Sequence, residues 1–143
     1  MRTWTFPARI ERQGEGDFVV AFPEIPEAIT GGSSVEEALS NAEDALEEAI
    51  LEYLAQGRIV PSPRAALHGE HDVVLAPVTA SRAALANVMR ERNITNVALA
   101  ARLGKSEGAI RRLTDGSANV KIDTVIDVMK ALGGRAILSD DAA

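Results

Sequence analysis

The sequence contains no cysteine and few aromatic residues among its 143 positions. The lack of cysteine excludes disulfides, thiolate metal sites and a cysteine nucleophile. Because 46% of the residues are hydrophobic but only 3% are aromatic, we expect modest cores built from aliphatic side chains. The sequence also shows no basic-then-apolar leader and no run near the ~18 apolar residues of a membrane span, which predicts a cytoplasmic protein.

Few residues suggest metal binding or catalysis. The two histidines, His68 and His71, lie in a loop-like stretch, whereas a zinc site needs three or four ligands at a defined spacing. The glycine turn Gly31–Ser33 opens a predicted helix, but no lysine follows it to hold a phosphate. We therefore expect no metal, no cofactor and no enzymatic activity.

Charge is divided unevenly along the chain, although the formal net charge is only −6. Residues 1–78 carry 14 acidic and 5 basic side chains, which gives a net charge of −9. Residues 79–143 carry 7 acidic and 10 basic side chains, which gives +3. Because opposite fields favour different partners, we predict two domains, residues 1–78 and residues 79–143.

The first half has the pattern of a small sheet. Thr3–Ile10 alternates between apolar and polar residues, as half-buried strands do, and Phe18–Phe22 is apolar nearly throughout. Ile29 and Thr30 are expected to form a short third strand, and Val73–Leu75 a fourth. These four segments predict a sheet whose strands are separated by turns and by one helix.

That helix is the clearest element of the sequence. Ser34 and Glu37 form a capping box at its start, and Gly57 can end it. Its apolar stripe repeats with a period of 3.6 residues and is rich in alanine. We therefore expect the helix to approach the sheet closely.

The second half predicts helices. A helix capped by Thr79 or Ser81 runs to about Arg92, and another spans Ile122–Leu132. Ala136–Leu138 has the composition of a short strand that would lack a partner within the chain. An unpaired strand of this kind indicates a contact in a dimer.

Residues Asn96–Gly116 have the spacing of a helix, a sharp turn and a second helix. Gly104 stands where the chain needs the left-handed conformation, Ser106 can cap the second helix, and Ala100 is small enough for a close crossing. The apolar positions in register are Leu99, Leu103, Ile110 and Leu113. The stretch resembles the helix-turn-helix of phage repressors and their bacterial relatives. An ordinary helical hairpin in an all-α domain is the alternative.

The exposed positions of this stretch suggest how it would bind double-stranded DNA. Asn96 and Lys105 are placed for phosphates, while Ser106, Glu107 and Arg111 are placed for base edges. Glu107 has the wrong sign for phosphates, so it either reads a base or faces solvent. A homodimer or a higher homo-oligomer is expected, with a dimer on a palindrome, because one such module binds weakly. The predicted DNA-binding residues are Asn96, Lys105, Ser106, Glu107, Arg111 and Arg112.

The first half resembles the HicB family of antitoxins, from about Phe6 to Pro63. The likeness consists of the strand Gly16–Phe22, the Pro23-Glu24-Ile25-Pro26 run, the Thr30-Gly31-Gly32 turn and the Glu36-Glu37-Ala38-Leu39 helix start. The family usually has aspartate at Glu24 and glycine at Glu27. The resemblance implies an α+β protein with a small partial ribonuclease-H-like ββαβ domain that neutralises a HicA-type toxin, an mRNA-cleaving ribonuclease. It also implies a C-terminal module that represses the operon, here an all-α helix-turn-helix domain.

The acidic first half suits such a partner electrostatically, because a toxin that grips RNA presents a basic groove. The candidate toxin-binding residues are Glu24, Glu27, Glu43 and Glu47. For each of them, a solvated acidic surface is the alternative.

Two other functions compete with the antitoxin hypothesis. One is a stand-alone transcriptional regulator whose N-terminal domain senses a ligand. The other is a nuclease, which would need several carboxylates converging on the sheet, usually including one on the first strand. Thr3–Ile10 contains no carboxylate, and Glu11 lies past its predicted end.

Overall fold

The computed structural model describes residues 1–140, in which four strands and five helices form a mixed α+β fold. The strands are β1 (Thr5–Gly14), β2 (Asp17–Phe22), β3 (Ile25–Gly32) and β4 (His71–Val74). The helices are α1 (Val35–Ala55), α2 (Pro77–Glu91), α3 (Asn96–Leu103), α4 (Glu107–Thr114) and α5 (Ile122–Ala131). The predicted α+β class is confirmed, and three strands precede α1, as the sequence pattern predicted, whereas the ββαβ order implied by the family resemblance has two.

The four strands form one antiparallel sheet in the order β3-β2-β1-β4. β1 extends to Gly14, four residues beyond the predicted end, and pairs through the polar segment that follows Ile10. The alternation of apolar and polar residues did not predict this extension. The tip of the β1–β2 hairpin is exposed on both faces, so its residues are polar on both. Glu11 therefore lies within β1 and not past its end, so that expectation was wrong.

α1 is capped as predicted, with a different reciprocal contact. The Ser34 hydroxyl accepts a hydrogen bond from the Glu37 N–H at 3.1 Å, while the Glu37 carboxylate accepts one from the Ser33 hydroxyl at 2.8 Å. In the usual capping box the Glu37 side chain would bind back to the cap residue Ser34, whereas here it binds the preceding residue, Ser33. Gly57 has a φ of 67° just past the helix, in the left-handed region that an ending helix requires.

α1 lies close against one face of the sheet, as its alanines predicted. A Cβ atom placed on Gly32 would lie only 2.6 Å from the Ala38 nitrogen, so no larger residue fits where β3 meets the helix. The buried positions of α1 are Ala38, Ala42, Leu46, Ile50, Tyr53 and Leu54. We call β1–β4 with α1 the sheet unit and α2–α5 the helical unit.

α2 begins at Pro77 with Ala76 at the cap position, so the prediction that Thr79 or Ser81 caps it was wrong. Proline is pre-organised for the first helical position, where its missing N–H leaves no hydrogen bond unmade. Both hydroxyls have other partners. Thr79 donates to the Glu47 carboxylate at 2.7 Å, and Ser81 donates to the Val78 carbonyl at 2.7 Å.

α2 contributes to both cores of the molecule. Ala80 and Ala83 belong to the core of the sheet unit, whereas Leu85 and Met89 belong to the core of the helical unit. The buried Asn87 amide donates to the Val60 carbonyl at 2.9 Å and accepts from the Val60 N–H at 3.4 Å. α2 therefore packs into the cores of both units.

The Glu70 carboxylate holds together the segment between α1 and β4 and joins it to β1. The Glu70 side chain is only 5% exposed and accepts hydrogen bonds from Arg64 at 2.7 and 2.9 Å, from Arg9 at 3.2 Å and from the Leu67 N–H at 3.0 Å. Chiefly because Arg64 donates to its charged form, the pKa of Glu70 falls to about 2.

The lowered pKa of Glu70 predicts a specific pH dependence of stability. Since its folded-state pKa lies below the unfolded value, the contribution to stability is present above the unfolded pKa and is lost as pH falls towards about 2. Glu70→Gln should lower the melting temperature at neutral pH, and the difference from the natural chain should shrink as the pH falls towards about 2. Thermal unfolding monitored by circular dichroism at several pH values measures this. The same substitution at the exposed Glu48 should leave the pH profile unchanged. A Glu70→Gln deficit that stays constant down to low pH would contradict the assignment.

Candidate nucleic-acid interface and acidic surface

α3 and α4 are joined by a turn whose two ends are fixed by hydrogen bonds. Gly104 adopts φ 64° and ψ 32° at the end of α3, and the Lys105 N–H donates to the Ala100 carbonyl at 2.9 Å. The Ser106 hydroxyl then accepts from the Ala109 N–H at 3.1 Å and caps α4. The structural roles predicted for Gly104 and Ser106 are confirmed.

The inner faces of α3 and α4 pack into the core of the helical unit. Leu99, Ala100, Ile110 and Leu113 are buried, and Leu103 is half-buried. Ala100 is 4% exposed and belongs to the same core. The remaining surface of α4 faces outward.

Four of the six predicted DNA-binding residues are exposed, and two are half-buried. Lys105, Ser106, Arg111 and Arg112 are exposed at the start and along the outer face of α4. The half-buried pair are Glu107 and Asn96, which lie in the first turns of α4 and α3. The six positions thus lie on α3, α4 and the turn between them.

Arg111 is partly neutralised within its own helix. Its guanidinium lies 2.8 Å from the Glu107 carboxylate, one turn earlier, and 3.9 Å from the Asp115 carboxylate, one turn later. The side chains of Arg111 and Glu107 are 53% and 41% exposed, so water weakens this pair and Arg111 can leave it at modest cost. Glu107 therefore has a definite contact that the sequence interpretation did not include.

Arg82 on α2 binds the C-terminal end of α4, and sequence reasoning missed it. It is 4% exposed and donates to the last carbonyls of α4, Leu113 at 3.0 Å and Arg112 at 3.2 Å. Burial lowers the pKa of Arg82, and the nearby Asp115 carboxylate opposes that shift. A cation at a helix C-terminus also stabilises the helix dipole. The available signal was an arginine among the apolar positions of the predicted α2.

Asn96 and Arg111 line a common groove of about 360 Å³ where the helical unit meets the end of α1. Arg90, an exposed cation of α2, lines the same groove and was not among the predicted residues. Leu54 and Ala55 form its wall on the sheet unit. Three elements therefore bring polar and cationic side chains to one edge of the α3–α4 pair.

Of the four predicted toxin-binding acids, three have partners within the chain. The Glu24 carboxylate accepts from the Arg64 N–H at 3.3 Å, and its side chain is 18% exposed. Glu47 accepts from Thr79 at the boundary between the units. Glu43, by contrast, is exposed on α1 and makes no side-chain hydrogen bond within residues 1–140.

Glu27 is held by two residues at the end of α1. The Tyr53 hydroxyl donates to it at 2.7 Å and Arg58 at 3.1 Å, while the Arg58 guanidinium lies 3.9 Å from the centre of the Tyr53 ring. The hydrogen bond from Tyr53, more than the one from Arg58, lowers the pKa of Glu27. Glu27 does not have a positive φ, so the glycine usual in the family is not needed here.

Within residues 1–140, no three histidine or acidic side chains come together as a metal site would require. His68 is exposed in a turn, and His71 is exposed at the first position of β4. In the same part of the chain, none of the helices combines the length and apolar character of a membrane span.

Comparison with known proteins identifies the class to which this fold belongs. The family described as HicB_like antitoxin of bacterial toxin-antitoxin system matches residues 5–85, which include the whole sheet unit and the first part of α2. Antitoxin HicB 2 from Photorhabdus laumondii is 38% identical over 128 residues, 90% of each chain. Antitoxin HicB 1 from the same organism is 34% identical over 139 residues, 97% of this chain and 88% of the relative.

Antitoxin HicB from Escherichia coli K12 is 35% identical over 128 residues, which cover 90% of this chain and 93% of the relative. These matches extend well past the sheet unit into the helices. The class is therefore an antitoxin of the toxin–antitoxin type, and the chain belongs to the HicB-like antitoxin family.

Arg82 yields a test of how α4 is anchored. Arg82→Met keeps the aliphatic stem but removes both donors, so the carbonyls of Arg112 and Leu113 lose their buried partners. We expect the free energy of unfolding to fall by about 2 kcal/mol, as for hydrogen bonds from a charged donor. Urea denaturation measures it. Arg90→Met, on the exposed face of the same helix, should change stability by no more than roughly 0.5 kcal/mol. Equal stability of the two variants would contradict the anchoring role.

Proposed function

We propose that this chain neutralises a HicA-type mRNA-cleaving toxin and represses its own operon by binding operator DNA. Membership of the HicB-like family supports the antitoxin role. The opposite net charges of residues 1–78 and 79–143 support a division of labour, with a protein partner for the first and DNA for the second. We propose these ranges as the two domains and the cytoplasm as their location.

The DNA-binding part of the proposal depends on one observation above all. α4 is capped at its start and anchored at its end, and four exposed residues lie just before it or on its outer face: Lys105, Ser106, Arg111 and Arg112. We propose that α3 and α4 form a helix-turn-helix and that α4 enters the major groove. Asn96 and Lys105 then hold phosphates, while Arg111 leaves its ion pair with Glu107 and binds a base edge.

The toxin-binding part depends on the acidic surface of the sheet unit, which we propose to be a partial ribonuclease-H-like fold. Glu43 is the best placed of the four acids to meet a cationic partner, because it is exposed and has no hydrogen-bonded partner within residues 1–140. Glu24, Glu27 and Glu47 contribute to the acidic field while holding the unit together. We propose a non-enzymatic role, which the similarity to antitoxins supports.

We also propose that the chain acts as a homodimer, because a single helix-turn-helix binds DNA weakly and an operator offers two half-sites. The competing hypothesis is a stand-alone regulator whose sheet unit senses a small ligand. A groove on that unit, beside Leu67–Glu70, is open to solvent, and the Glu70–Arg9 ion pair forms part of its wall.

Co-expression with the short basic reading frame expected beside this gene tests the proposal. We expect a stable complex of the two proteins and protection of the cells from growth arrest by the partner. Glu43→Lys should weaken both effects, whereas Glu15→Lys, an equal charge change at the exposed hairpin tip, should have less effect. If no complex forms and a small molecule alters DNA binding, the sensor hypothesis replaces the antitoxin one. Metal-dependent RNA cleavage by the purified chain would support the nuclease instead.

The role of Arg111 predicts a pair of opposite effects on DNA binding. Arg111→Ala should cost about 1–3 kcal/mol on the operon's upstream DNA and relax the preference at one base pair. Glu107→Gln removes the ion pair and a negative charge, so it should raise affinity for all DNA and steepen the salt dependence.

Fluorescence anisotropy titrations with single-base variants of the upstream DNA, at several salt concentrations, measure both effects. Lys130→Ala, an exposed cation on α5, serves as the control for loss of one charge. A uniform loss across sequences would make Arg111 a phosphate contact, and no loss at all would exclude it from the interface.

A further inference from the structure

The residues that follow α5 leave the helical unit in a fixed direction. Gly133 adopts φ 81°, and the Gly134 N–H donates to the Met129 carbonyl at 3.0 Å. A Cβ atom on Gly134 would lie 2.6 Å from Met129 Cγ, so the chain passes tightly over that side chain. These contacts set the path of the backbone as it leaves the helix.

Two arginines from other helices fasten the same exit. Arg92 donates to the Leu132 carbonyl at 2.6 Å, and Arg102 donates to the Ala131 carbonyl at 3.3 Å. The ends of α2, α3 and α5 thus meet where the tail begins. We call residues Arg135–Asp140 the tail.

The tail presents apolar side chains and free backbone groups to solvent. Ile137 and Leu138 are 62% and 87% exposed, and residues 135–140 are in neither a helix nor a strand. Their backbone N–H and C=O groups make no backbone hydrogen bond with the rest of residues 1–140. The sequence predicted a strand here, and a single chain supplies no partner for one.

The geometry points to a second copy of this chain as the partner: we propose that two tails pair as an antiparallel two-stranded ribbon about a two-fold axis. This inference rests on the proposed homodimer and names its contact. The tail is self-complementary in charge, because Arg135 begins it and Asp140 ends it. Antiparallel pairing places the positive end of each tail near the negative end of the other, with Arg135 and Asp140 on opposite faces of the ribbon, whereas parallel pairing would place like charges directly beside each other.

Symmetry limits the register of this ribbon. In an antiparallel ribbon, residues that lie opposite each other point to the same face. A two-fold axis normal to the ribbon satisfies this rule only if one residue lies opposite its own copy, with the axis midway between the two. Centring the axis on Ile137 or on Leu138 keeps the apolar residues together. In either case the residue on the axis has a Cα–Cα distance to its copy of about 4.5–5.5 Å.

Because the chain contains no cysteine, a single introduced cysteine can form a disulfide only with its counterpart in a second copy. Single variants Ile137→Cys and Leu138→Cys are oxidised mildly in the full-length protein, and covalent dimers are counted on non-reducing gels. We expect one of the two to cross-link much faster than the other, because disulfide formation requires Cα atoms within about 4.4–6.8 Å. Ala136→Cys, off the axis in both registers, and Leu67→Cys, 61% exposed on the sheet unit, are the matched controls.

Sedimentation of the full chain over a range of concentrations gives the second readout. The natural chain should dimerise reversibly, and Leu138→Asp should raise the dimer dissociation constant about tenfold or more, with unchanged circular dichroism. Leu67→Asp should leave it unaltered. A monomeric natural chain, an unchanged dimer in Leu138→Asp, or equal cross-linking at 136, 137 and 138 would overturn the inference.

The proposed function is tested separately, so the two can fail independently. A chain that still protects cells from the adjacent toxin and still binds the upstream DNA, but dimerises elsewhere, would disprove only the tail contact. A tail dimer without either activity would disprove the proposed function and leave the contact in place.

Discussion

α2 is the constraint on which the rest of the molecule depends. Because one helix supplies side chains to two cores, neither core is complete without it. Its polar residues are buried along with the apolar ones: Thr79, Arg82 and Asn87 each satisfy a group on another element, on α1, on α4 and on the segment after α1. Unpaired polar groups at such positions would be costly, so these bonds specify how the two units meet.

α2 contacts both the acidic helix α1 and the cationic helix α4. Glu47 on α1 contacts Thr79, and three residues along the same helix Arg82 contacts the end of α4. α1 also packs directly against the loop after α4, since a Cβ atom on Gly116 would lie 2.8 Å from the Leu51 carbonyl. Packed contacts therefore connect α1 to α4 through α2 and through the loop after α4.

The sequence predicted what depends on local patterns and missed what depends on burial between units. The caps Ser34 and Ser106 and the left-handed Gly104 follow from rules that span three or four residues, and all three are present. The start of α2 was misplaced because Thr79 and Ser81 resemble caps locally, whereas Pro77 and distant partners decide the outcome. Arg82 was missed for the same reason, since its acceptors are 30 and 31 residues away.

The candidate acids illustrate a second limit of sequence reasoning. Charge counting identified the acidic half correctly, but it treated Glu24, Glu27 and Glu47 as available carboxylates when each is engaged by a partner. Glu70, the most strongly held carboxylate by its pKa, was not singled out. The net field of a surface can be summed from the sequence, because distant charges act through their total. The freedom of any one carboxylate depends on neighbours that only the fold brings together.

In the proposed function, the charges of α4 explain why dimerisation matters. Arg111 is shared between Glu107 and Asp115, so the exposed cations of α3, α4 and the turn between them that lack an ion pair within residues 1–140 are Arg102, Lys105 and Arg112. Each phosphate contact adds affinity through counterion release, and so few cations give a monomer little affinity for arbitrary DNA. The same arrangement favours selectivity. Arg111 makes its full contact only with a DNA sequence whose acceptors replace its ion pair with Glu107. Two weakly binding copies joined through their tails would then bind strongly only where two such sites lie at the correct spacing, since the second contact forms at high effective concentration.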